Sequence, residues 1–208
     1  MSGFCLSLKE KINMHIINIG TPLQSVGDYE VRKTDFISNV TFLDAEMIFW
    51  DVQSSYVAFP GSSEFTNLNR KSNVINGLKK DLEKRKLELD EFFKIGRTMI
   101  ITSPYFDKYK YKFENNKELY LDFIDCLDIE RPEYEFASGK NIQSNTETAI
   151  GEFYSTNKKR FFYHSKITSK KGNPLMFIKD TAHVVSEFYK VKNGLIIILP
   201  NFNFSSVP

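Results

Sequence analysis

The chain has 208 residues, of which 41% are hydrophobic and 26% charged, with a formal net charge of +2. That composition excludes a disordered or low-complexity protein and leaves room for one domain with a substantial core. Its two cysteines, Cys5 and Cys126, lie far apart, which excludes a CxxC metal knuckle and a disulfide framework, and so small a net charge is no evidence for nucleic acid.

Met14–Ile19 reads as a short buried strand, ended by the turn signal Gly20-Thr21-Pro22. After a loop, Ala45–Trp50 is a second apolar run closed by Asp51, and residues 52–70 read as irregular. The strongest helix begins near Ser72 or Asn73, carries Ile75, Leu78, Leu82, Leu89 and Phe92 on one face, and has Gly96 as its C-cap. Arg85 interrupts that stripe, and its stem is expected to pack while its charge reaches solvent. Thr98–Thr102 is a third strand, so strand, helix and strand follow one another as in a βαβ unit with a parallel sheet.

Residues 117–127 read as a second amphipathic helix and residues 130–145 as a loop. In the C-terminal third, Arg160–Ile167, Pro174–Ile178, His183–Val191 and Leu195–Leu199 read as strands, with Asn193-Gly194 as a hairpin signal. The expectation is a single α/β domain over residues 1–208, with a parallel core at about 12–130 and antiparallel strands at about 155–200. No apolar segment follows a basic start, and the longest apolar run, Leu195–Pro200, falls far short of the ~20 residues that span a bilayer. A soluble, cytoplasmic protein without membrane contact is expected.

This order resembles the class I glutamine-amidotransferase-like superfamily. The likeness lies in the strand Ala45–Trp50 ending in Asp51, the helix leading into Thr98–Thr102, and the late hairpin running into Lys192-Asn193-Gly194 and Leu195–Pro200. The resemblance implies a bacterial protein with a three-layer flavodoxin-like fold: a mostly parallel sheet, helices on both faces and an antiparallel C-terminal extension. It also implies where a nucleophile would stand, and that place reads Ile101-Thr102-Ser103-Pro104-Tyr105. No cysteine and no flanking glycine is present, and Pro104 removes a backbone N–H that an oxyanion hole would use. The family's His-x-Glu position reads Pro200-Asn201-Phe202-Asn203. No catalytic residue is therefore assigned, and the resemblance implies a non-catalytic member.

Ligands of open α/β sheets bind at the carboxyl ends of strands, which makes Asp51, Ser103, Tyr105 and Asn201 the expected rim of a pocket. His15, His164 and His183 have no acid or thiol at ligand spacing, and no glycine-rich phosphate loop occurs, so neither metal nor cofactor is expected. Charge is uneven along the chain: residues 153–179 hold Lys158, Lys159, Arg160, Lys166, Lys170, Lys171 and Lys179 without one acid, whereas residues 114–135 are strongly acidic. Between the long helix and the acidic part, Tyr109 and Tyr111 alternate with lysines, as on an edge strand guarded by charge or on a surface that stacks single-stranded bases.

The leading expectation is a non-catalytic module for protein interaction or small-ligand sensing within a larger assembly, with a protein partner or homo-oligomer. One alternative is a nucleic-acid-associated protein using Lys158, Lys159, Arg160, Lys170, Lys171, Tyr109 and Tyr111 on one face. Another is a hydrolase or transferase of unrecognised type at the strand ends. The acidic and basic stretches are complementary enough to pair across an oligomer.

Overall fold

The computed structural model describes residues 14–25, 28–52, 54–55, 68–69, 72–102, 109–112, 118–121, 123–144, 148–168 and 171–202, with main chain only at 68–69, 72–76, 78, 109–112, 118–121 and 123. The apolar run Met14–Ile19 forms strand β1, followed by β2 (Tyr29–Thr34), β3 (Met47–Asp51) and β4 (Leu68–Asn69). Helix α1 spans Ser72–Lys94 and leads into β5 (Thr98–Thr102), β6 (Tyr109–Lys112) and β7 (Glu118–Leu121). After a 3-10 turn at Phe123–Cys126 come β8 (Tyr134–Gly139), β9 (Ile142–Ser144) and helix α2 (Ala149–Asn157). A second 3-10 turn, Lys158–Arg160, opens into β10 (Phe161–Ile167), β11 (Asn173–Ile178), β12 (Val184–Val191), β13 (Gly194–Ile198) and β14 (Asn201–Phe202).

Among the described residues, eleven strands form one mixed sheet. Its parallel half runs in the order β2-β1-β3-β5-β13. At β12 the direction reverses, and the pairs β12–β13, β11–β12, β9–β11, β10–β12, β8–β10 and β10–β14 are all antiparallel. A separate three-stranded sheet has the order β4-β6-β7.

The expected fold class is therefore corrected. The protein is not a three-layer α/β sandwich of flavodoxin-like type with a mostly parallel sheet and helices on both faces. Antiparallel pairs outnumber parallel ones, and among the described residues only two helices longer than a turn occur. Antiparallel strands join through short turns and need no crossover helix, so much more of the chain enters the sheet than expected. Residues 130–145, expected as a loop, supply β8 and β9, and residues 117–127, expected as a helix, supply β7 and a 3-10 turn.

Two cores result. In the first, Ile19, Ile48, Trp50, Met99, Ile101, Ile196 and Ile198 line one face of the parallel half and meet Leu82, Leu89, Phe92 and Phe93 of α1. In the second, Tyr154 of α2 packs with Phe161, Tyr163, Leu175, Met176 and Val185 of the antiparallel half and with Ile197 and Leu199 from β13 and just beyond it. Thr148 caps α2, its side-chain oxygen accepting from the Gly151 amide at 3.0 Å. α1 ends as its sequence demands: Gly96 takes φ +84°, its amide bonds to the Phe93 carbonyl, and the Arg97 amide reaches Phe92. Among the described residues, no helix is long and apolar enough to cross a membrane.

The late hairpin forms, but not by the expected chemistry. Lys192, at φ 54°, turns the chain, whereas Gly194 is the first residue of β13. A Cβ there would stand 2.3 Å from the Arg97 carbonyl oxygen, so the glycine serves close backbone approach. Asn193 Nδ2 then donates to the Lys94 carbonyl at 2.8 Å, and Lys192 pairs with Asp90, which fastens the hairpin to the end of α1.

Arg85 also departs from expectation. Its guanidinium does not reach solvent; it lies over the Phe42 ring, 3.7 Å from the centroid, and is buried. Nε donates to the Phe36 carbonyl at 3.0 Å, Nη2 to Ser38 at 2.9 Å, and Nη1 to Val40 at 3.2 Å and to the Glu88 carboxylate. Glu88 in turn accepts from the Phe42 amide at 2.7 Å and from the Thr41 hydroxyl. Helix α1 thus holds the connection from β2 to β3 through one planar fork and one carboxylate.

Candidate functional site

The parallel half changes winding direction between β1 and β3, and the crevice beyond such a point is where open α/β sheets take ligands. Gly20 follows β1 and Asp51 ends β3, so Asp51 does stand beside this point. The described residues beside this point bond to one another. Gly20 has φ +79°, and a Cβ on it would fall 1.6 Å from Ser54 Oγ, so the turn after β1 touches the residues after β3. Ser54 Oγ donates to the Asp51 carbonyl at 2.6 Å. Asn18 Nδ2 donates to the Thr21 carbonyl at 2.7 Å, and the Thr21 hydroxyl donates back to Asn18 Oδ1. Trp50 Nε1 donates to Ser55 Oγ at 2.8 Å. Buried polar groups must find partners, and here they find each other.

The other expected rim residues do not assemble around Asp51. Beyond Leu199 the chain leaves the parallel half, and Asn201 pairs with Phe162 of β10. Ser103 and Tyr105 lie outside the described residues.

The expected basic face is divided. Lys158, Lys159 and Arg160 lie together in the turn after α2, where positive charge also suits the carbonyl end of a helix. Lys171 lies beyond the far end of β10, a strand roughly 20 Å long at ~3.3 Å per residue, and pairs with Glu130. Lys166 pairs with Glu135, its register partner across β10 and β8, at 3.1 Å. Acidic and basic stretches therefore meet within one chain. Lys170 lies outside the described residues, and Tyr109 and Tyr111 belong to β6, the middle strand of its sheet rather than an edge.

Neither motif nor spacing announced one feature, a carboxyl group in the interior. Glu187 of β12 is 1% exposed, accepts a hydrogen bond from the Tyr189 hydroxyl, and receives another from the Gly172 amide. Burial raises its pKa, and these two bonds only partly offset the rise. The Tyr189 hydroxyl is held far above its ordinary value, first by burial and then by its bond to Glu187. The Tyr134 hydroxyl is raised as well, by burial first and then by Tyr189 and Glu187. The group joins β12 to the turn at Gly172.

A measurable consequence follows from the direction of that shift. The folded chain binds the Glu187 proton more tightly than the unfolded chain, so the associated stability is complete below the ordinary carboxyl value of 4.5. It is lost as pH rises through the raised folded value. Glu187→Gln, which cannot ionise, should gain on the wild type in melting temperature as pH rises from the ordinary carboxyl value of 4.5 through the raised folded value. A constant difference across that range would contradict a raised pKa.

Among the described residues, no three of His, Cys, Asp and Glu come together as metal ligands. His15 pairs with Glu30 at 3.3 Å, and the Cys126 thiol is buried against the Leu82 carbonyl. The chain matches no protein-family model, and no curated protein matches it. The likeness to the amidotransferase-like superfamily thus rests on the short segments quoted above, and the sandwich it implies is not the fold found.

Proposed function

We propose that this chain is a non-catalytic module that acts by binding protein, in the cytoplasm and as part of a larger assembly. One observation carries the proposal: at the carboxyl ends of the parallel strands the side chains of Asn18, Thr21, Trp50, Ser54 and Ser55 are spent on local hydrogen bonds, Asn18 with Thr21, Trp50 with Ser55, and Ser54 with the main-chain carbonyl of Asp51. A catalytic group must present its polar atom to a reacting atom in a concave site. These groups instead fasten the turn after β1 and the residues after β3. The test joins two measurements on the purified protein, ammonia release from glutamine and native mass spectrometry. No turnover above the blank and no small molecule held in stoichiometric amount are expected; either one would overturn the proposal.

Nucleic-acid binding is the competing class, and Lys171 of its expected set, with Lys166 of the same basic stretch, is less available to phosphates than the sequence implied. Lys166 and Lys171 are matched by Glu135 and Glu130, which leaves the short cluster Lys158, Lys159 and Arg160 as its main support. Filter binding at low salt should detect no micromolar complex with single- or double-stranded DNA or RNA. A complex whose log affinity falls with log salt by about one unit per neutralised phosphate, and which charge reversal at Lys158, Lys159 and Arg160 abolishes, would favour this class instead.

A further inference from the structure

We draw no further inference here: the strongest candidate, the pocket between α1 and the connection from β2 to β3, lined by Ile37, Ser38, Asn39, Asp81, Lys84 and Arg85, sets one carboxylate beside one ammonium and a guanidinium already engaged by Phe36, Ser38, Val40 and Glu88, so its charge selects no class of ligand or partner.

Discussion

Replacing Arg85 with alanine should destabilise the protein by about 3–5 kcal/mol, the range found when one partner of a buried ion pair is removed. Three consequences act together. The Glu88 carboxylate, itself mostly buried, loses its counter-charge. The carbonyls of Phe36, Ser38 and Val40 lose their donor, and each buried acceptor left unsatisfied carries a cost of its own. The Phe42 ring loses the cation above it. Burial already lowers the Arg85 pKa, with Glu88 opposing, so the native structure tolerates this charge because its donors are so fully used. Arg85→Lys should recover little, since an ammonium is a point charge and cannot serve three carbonyls set around a planar fork. Urea titration of both variants measures the effect; an alanine variant within about 1 kcal/mol of wild type would show that the network matters little.

Arg85 also shows where the sequence ran out. At the centre of an apolar stripe, an arginine reads as an interruption whose charge escapes to solvent. Its role depends on carbonyls 45–49 positions earlier in the chain, which no local pattern reveals. What was legible had a local cause: β1, β3 and β5 are apolar runs with turn signals, and α1 has a 3.6-residue stripe and a glycine stop. β2 was not legible, because an edge strand with Glu30, Arg32 and Lys33 lacks the apolar alternation that betrays a half-buried one. β8 and β9 were missed for a related reason, being short and set in polar, acidic sequence, and held by partners far along the chain. At residues 118–127, Leu119, Leu121, Ile124 and Leu127 fit both a two-residue and a three-residue spacing, and the chain takes both forms in turn. Of the candidate site, the position of Asp51 followed from the βαβ order, but the close approach of the segments after β1 and β3 could not be foreseen. It depends on Gly20, in the turn after β1, meeting Ser54 after β3.

Leu89→Asp should abolish the folded state, whereas Leu87→Asp, two residues earlier, should leave stability within about 0.5 kcal/mol of wild type. Both residues lie in α1 and differ chiefly in the direction they face. Leu89 is 1% exposed in the core that joins α1 to the parallel half, together with Phe92, Phe93, Met99 and Ile101, while Leu87 is 71% exposed. A carboxylate at position 89 would enter a space lined by apolar groups, where an unpaired charge costs several kcal/mol beyond the lost packing. Whole-domain stability is only about 5–15 kcal/mol, so that loss removes most or all of it. The same carboxylate at position 87 stays in water. Aspartate lowers helix propensity at both positions, and by a similar small amount, so the contrast isolates burial. Thermal unfolding followed by circular dichroism decides it: equal melting temperatures in the two variants would mean that α1 does not present this face to the sheet.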